Sequence, residues 1–348
     1  MTSVVHTPLG QEHPYETLPE ERSPRHPLAG EDFIVGIVTR PPGAAQQVSI
    51  RSEVDGVPQP PIEAARLDEW RPAWEEGVGA EFLERKVIID QDVWQAKLTA
   101  PPYGQTLEYW VESDAGTTGR YSLRAEQWVE GGSYAVDHGT ATVQYNGETN
   151  SGQTTHNRPV KIEWLHDGQT ARRVRLTFEA KPDEGFFGLG ERFNALDQRG
   201  NIMDIRVYEQ YKSQGKRTYM PIPFLLSSAG YGVWVESSRW MQFDLAATSP
   251  DFWTLEADLG PDETLKLHWF EGDDPFEIVG QFSKRTGASG DHPAPLPPDW
   301  AFGLWMSAND WNSQERVENE VRASFEHGIQ PTVVVIEAWS DENTFYIW

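Results

Sequence analysis

Apolar residues at every second position recur in short runs from Asp32 to about Gly280, separated by turn-forming clusters. Up to Leu123 the runs are DFIVGIVT, QQVSIRSE, ERKVIID, VWQAKL, LEYWVES and TGRYSL, broken by RPPGA, APPYG and SDAG. From Glu126 they continue as SYAVDH, TATVQY, KIEWL, ARRVRLTFEA, YGVWVES, QFDLA, FWTLEAD and TLKLHWF. In the last, Leu265, Leu267 and Trp269 alternate with Lys266 and His268, the period of a strand with one wet face. Such spacing predicts antiparallel sandwiches: a small one over residues 32–125 and a larger all-β domain over residues 126–290. Residues 1–31, rich in Pro, Glu, Arg and His and without periodicity, read as an extended arm rather than a folded element, either packed on a neighbour or mobile.

The pattern changes after the Pro-dense connector DHPAPLPPDW, which forbids helix and marks a boundary at residue 291. AFGLWM reads as a strand, SQERVENEVRASFEH as a helix and TVVVI as a second strand. Val317, Val321 and Phe325 fall on one helical face, Ser313 can cap the start, and Gly328 can supply the left-handed residue after the end. Strand, helix, strand in one sheet is a parallel crossover unit, which needs neighbours because parallel strands are buried on both faces.

Composition narrows the function classes. With 54 acidic against 29 basic residues, the net charge of −25 opposes nucleic acid and anionic membrane surfaces as partners. No apolar run approaches the roughly 18 residues of a membrane span, and MTSVVHTPLGQEHPYE lacks a basic-then-apolar leader, so a cytoplasmic location is the expectation. The absence of Cys removes disulfide and thiolate chemistry. The nine His are scattered, without metal-ligand spacing, so neither a metal nor a cofactor is expected. The 15 Trp, 15 Phe and 11 Tyr suit both sandwich cores and the apolar faces of sugars.

Three stretches carry a family resemblance: GFFGLGERFNALDQRG (185–200), YMPIPFLLSSAGYGVWVES (219–237), and LPPDWAFGLWMS with the helix and TVVVIEAW (296–339). Together they resemble the N-terminal part of glycoside hydrolase family 31, the α-glucosidase and α-xylosidase family. The resemblance, which covers roughly residues 130–348, implies a mainly β fold with the family's galactose-mutarotase-like sandwich over 126–290 and, at 291–348, the first β-α-β unit of a truncated (β/α)8 TIM barrel; the first sandwich lies outside it and looks generically like the small β modules that precede sugar-active barrels. On the residues alone, Gly188 and Gly190 lack the third glycine of a dinucleotide fingerprint, so they read as allowing a tight bend or close backbone approach. Glu191 and Arg192 read as structural partners rather than catalysts.

In such a barrel the residues after the strands' C-terminal ends face the site. Asn309 and Asp310 follow the first strand; Glu337 and Trp339 follow the second. A carboxylate directly after Val333-Val334-Val335-Ile336 is not there for burial's sake. The family usually carries Asp at that position, contacting sugar hydroxyls, and Glu is one methylene longer. A salt bridge for Glu337, a core place for Trp339 and a helix-entry role for Asp310 are the competing readings. Glu209 and Gln210, in the long polar stretch before Tyr219, stand near where a family carboxylate contacts sugar. The paired carboxyls of a retaining glycosidase are expected beyond Trp348, so no residue is assigned as catalytic. The expectation is the N-terminal segment of an α-glycosidase that hydrolyses or transfers terminal non-reducing α-linked sugars, with an α-linked oligosaccharide and the rest of its own barrel as partners and a homo-oligomer left open. A non-catalytic sugar-binding sandwich protein and an α-glucan lyase are the alternatives.

Overall fold

The computed structural model describes residues 2–10, 18–68, 90–145, 157–207, 214–287, 297–307, 311 and 313–336. The chain divides into two compact units, residues 1–282 and 283–348.

The first unit holds two sandwiches, each with its own core. In the smaller one, Asp32–Arg40 pairs with Asp92–Thr99, while Val48–Val54 pairs with Thr106–Ser113 in the facing sheet, all antiparallel. Alternate residues from both sheets, including Phe33, Ile37, Ile50, Trp94 and Tyr109, meet between them. Two pieces of the N-terminal stretch, Ser3–Val5 and Arg22–Ser23, pair with Asp32–Arg40. The arm is therefore partly a folded element, contrary to the sequence reading. The physical reason is tertiary: an edge strand can be recruited by backbone pairing without an amphipathic pattern of its own. His6 anchors it, its ring bonded to the Gly36 carbonyl at 2.7 Å and the Tyr109 hydroxyl at 3.0 Å. The ERKVIID run lies almost wholly outside the described residues.

The larger sandwich has two six-stranded sheets. One runs, in spatial order, Gln127–Glu130, Lys161–His166, Ala171–Glu179, Phe252–Asp258, Met241–Leu245 and Asn201–Asp204. The other runs Ser133–Asp137, Thr140–Gln144, Thr264–Glu271, Tyr231–Val235, Phe224–Ser227 and Phe186–Gly188. Trp253 is stacked on Phe178 at 4.3 Å in the core between them. The outer face of the first sheet is a lattice of ion pairs in which Arg173 bonds Asp258 and Arg175 bonds Glu256, both at 2.6 Å.

Helix α1, Pro275–Arg285, was not foreseen, and it changes the second sheet's outer face. Its Ile278 is buried and its Phe282 stacks on Phe224 at 4.2 Å. Gly232 permits the approach, since a Cβ there would lie 2.7 Å from the Ile278 side chain. His268, expected on a wet face, is instead 3% exposed. It stacks on Trp234 and bonds Glu236 at 2.6 Å and Thr140 at 3.1 Å, because Trp234 belongs to the apolar layer that α1 covers.

In the second unit, Leu304–Ser307 and Pro331–Val335 form a parallel pair, joined through helix α2, Gln314–Glu326. Ser313 caps α2, accepting from the Arg316 amide at 3.3 Å, and Gly328 follows the helix at φ +76°, both as the sequence predicts. Among the described residues this sheet has two strands.

Candidate functional site

All six candidate contacts, Glu209, Gln210, Asn309, Asp310, Glu337 and Trp339, lie outside the described residues, so the structure assigns them no geometry. It does define the backbone from which each departs.

In the parallel pair, Ser307 stands in register with Val335. The chain thus leaves toward Asn309 and Asp310, and toward Glu337, from the same end of one sheet. That juxtaposition follows from parallel pairing: both strands present their C-terminal ends together, which antiparallel strands cannot do. At the opposite end, Thr332 bonds the Trp300 carbonyl at 2.8 Å, and Gly303 lacks the Cβ that would strike the Thr332 side chain.

Glu209 and Gln210 belong to the connection between Asn201–Asp204 and Phe224–Ser227, whose base is closely tied. The Arg192 guanidinium donates to three backbone carbonyls: Leu189 at 2.9 Å, Lys216 at 2.8 Å and Asp204 at 3.0 Å. Val207 and Thr218 form a parallel bridge just inside, and Thr218 is fully buried. Burial pulls the Arg192 pKa down to about 10, partly offset by Asp204, and the group stays charged at neutral pH. A cation shared among carbonyls suits this place, because one planar fork reaches three acceptors at once. The reading of Arg192 as a structural hydrogen-bond partner agrees with this. That it gathers both ends of the connection was not visible in the sequence, since its acceptors are backbone atoms with no residue signature.

The glycines behave as close-approach residues. Gly190, at φ +90°, lets the chain pass against the Met220 carbonyl, and Gly188, at φ +92°, would place a Cβ 2.6 Å from the Phe224 carbonyl. Just upstream, the buried Glu184 carboxylate accepts from the hydroxyls of Ser227 and Tyr231 and from the Lys181 amide. Burial and then the Glu184 charge push the Tyr231 hydroxyl well above its usual range, so it remains a donor. Among the described residues no cluster of three or more His, Cys, Asp or Glu is arranged to hold a metal ion.

Residues 107–244 match the family model described as the glycosyl hydrolase 31 N-terminal galactose mutarotase-like domain, and residues 5–68 match one described as Lmo2446-like, N-terminal. The chain is 30% identical over 99% of its length to an isomaltosyltransferase of Sporosarcina globispora, covering 37% of that protein. It is 32% identical over 99% of its length to a 1,3-alpha-isomaltosidase of Kribbella flavida, covering 45% of it. Among solved structures, the cycloalternan-degrading enzyme from Trueperella pyogenes in complex with cycloalternan superposes with a TM-score of 0.73 at 29% identity, over 98% of this chain and 46% of that one. The chain therefore spans less than half the length of these relatives.

Proposed function

Because the chain belongs to glycoside hydrolase family 31 and corresponds to the N-terminal portion of its members, we propose that it is the substrate-rim part of an α-glycosidase acting on α-linked gluco-oligosaccharides with isomaltosyl ends. The observation that carries this reading is the near-complete alignment of the chain with two proteins named for isomaltosyl transfer and hydrolysis. A match confined to the galactose-mutarotase-like sandwich would fit any member of the family.

In this reading the parallel pair Leu304–Ser307 and Pro331–Val335 begins the (β/α)8 barrel. Glu337 and Asp310 accept hydrogen bonds from sugar hydroxyls, Asn309 donates and accepts, and Trp339 offers an apolar wall to a pyranose face. Glu209 and Gln210 reach the same sugar from the connection gathered by Arg192. The two catalytic carboxyls, about 5 Å apart in a retaining enzyme, are assigned to no residue of this chain. Hydrolysis and transfer share the glycosyl-enzyme intermediate and differ only in whether water or a sugar hydroxyl resolves it.

The test uses the protein carrying its complete barrel, incubated with cycloalternan and with an isomaltosyl α-1,3-linked oligosaccharide. Release of isomaltose, or its transfer to an acceptor, is expected, and Glu337→Gln should lower kcat/KM about tenfold or more, as loss of a charged hydrogen-bond acceptor does. Release of xylose from α-xylosides with no action on either glucan would overturn the isomaltosyl assignment.

A further inference from the structure

One concave region of the first unit is lined by basic residues that the proposed glycosidase does not use. Among the described residues, a cleft of about 790 Å³ is lined by five arginines, Arg25, Arg172, Arg173, Arg206 and Arg239, by His26 and by one carboxylate, Asp258. The arginines come from different parts of the chain: the N-terminal stretch, the strand Ala171–Glu179, the segment after Asn201–Asp204, and the turn before Met241–Leu245. In a chain of net charge −25, such a concentration of guanidinium groups around one hollow runs against the overall balance.

The groups are held in place rather than loosely collected. Glu21 pairs with Arg25 at 2.6 Å, Glu126 with Arg172 at 2.6 Å, and Asp204 with Arg206 at 3.6 Å; none of these three carboxylates lines the cleft. Asp258 bonds Arg173 at 2.6 Å. The Arg173 guanidinium also lies 3.7 Å over the Trp240 ring, with Arg206 at 5.6 Å from the same ring. Carboxylates and indole fix the orientation of four guanidinium groups while neutralising much of their charge. Arg239 completes the set: it is exposed, and no carboxylate among the described residues lies within ion-pair distance of it. Ser237 and Ser238 add hydroxyls to the lining.

We infer that this cleft binds a small phosphate-bearing anion, as free phosphate or as the phosphomonoester of a sugar. A neutral sugar needs acceptors as well as donors; among the described lining residues the one carboxylate, Asp258, is already bonded to Arg173, while Arg239 offers a guanidinium with no carboxylate at ion-pair distance. Planar guanidinium forks match phosphate oxygens, and a tetrahedral group can meet forks arriving from several directions. A long polyanion is disfavoured because the rest of the surface repels it. The inference does not draw on the reaction proposed above, since every residue it is argued from is a described one and none is a candidate sugar contact.

The experiment is calorimetric titration of the 348-residue chain with inorganic phosphate, and in a second arm with a hexose phosphate, against chloride at matched ionic strength. Two variants are made at the exposed positions, Arg239→Ala, which breaks no ion pair among the described residues, and Ser238→Glu, which places a carboxylate at the cleft. Saturable binding is expected, weakened about tenfold by Arg239→Ala and abolished by Ser238→Glu, with thermal unfolding in the absence of phosphate unchanged in both. Tighter binding of the hexose phosphate assigns a phosphomonoester, and equal binding assigns free phosphate. Heats no larger than those of chloride, or binding that persists unaltered in both variants, would overturn the inference.

Discussion

The two units place the same kinds of side chain in opposite surroundings. In the larger sandwich Trp253 is 0% exposed, and Phe178 and Phe243 beside it are equally buried. In the second unit Trp305 is 51% and Phe302 74% exposed, and no hydrophobic residue described there is buried. Local rules are obeyed in both: caps, left-handed glycine and β-branched strands are where they should be. The difference is closure. An antiparallel sandwich covers its apolar face with its own second sheet, whereas a parallel pair with one helix has faces that only further elements can cover. A sequence can thus be written for a core that its own local neighbours do not complete.

Substitutions that remove core contacts should separate the units most sharply. Trp253→Ala should cost the first unit about 3–5 kcal/mol in urea unfolding, the range for emptying a buried aromatic site. A loss below about 1 kcal/mol would mean that the core is less tightly closed than its burial shows.

Acid gives the next largest effect. Burial, opposed by hydrogen bonds, holds the His6 pKa at about 4 rather than 6.5. The unfolded chain therefore takes up the proton first as pH falls, and stability is lost between pH 6.5 and 4. The loss, on the order of 3 kcal/mol at most, concerns docking of the N-terminal strand on the small sandwich. It should be visible as faster amide exchange in Ser3–Val5 at pH 4.5 than expected from chemistry alone, and the second unit should not share it.

Gly190→Ala combines a left-handed backbone with a collision against the Met220 carbonyl, and should destabilise the larger sandwich by about 2 kcal/mol. Chemical denaturation measures it, and no change would show that the two segments can move apart freely. In the second unit, Ser313→Ala removes the cap of α2 and should cost about 1 kcal/mol of local helix stability, read from amide exchange of α2. Smallest of all, Trp305→Ala should change unfolding of this 348-residue chain by less than about 0.5 kcal/mol. A loss as large as that for Trp253 would erase the contrast between the units.

Much of the strand content was legible because alternation survives wherever one face is dry. Leu265, Leu267 and Trp269 show it, as do Val174, Leu176 and Phe178. Helix α1 does carry a sequence signal: Asp274 before Pro275 marks a helix start, and Ile278 and Phe282 lie one turn apart. His268 could not have been placed from its own strand, because its burial depends on Trp234 and on the layer that α1 covers. The strands of the N-terminal stretch were equally silent, as backbone pairing to Asp32–Arg40 asks little of side-chain identity. For the candidate sugar contacts, the sequence pointed to positions after strand ends. The structure adds only that Ser307 and Val335 bring two of those departures side by side.

By itself, then, the sequence determined the antiparallel alternation, the cap and stop of α2, the glycines at Gly188 and Gly190, and the charge that turns away polyanions. These are local or additive properties, readable from spacing and composition. Tertiary structure alone decided that Arg192 gathers three carbonyls, that His6 anchors the N-terminal strand, and that five arginines from four separate segments meet around one cleft. The physical reason is common to all three: their partners are backbone atoms or residues distant in sequence, and only the folded backbone sets which of those are within reach.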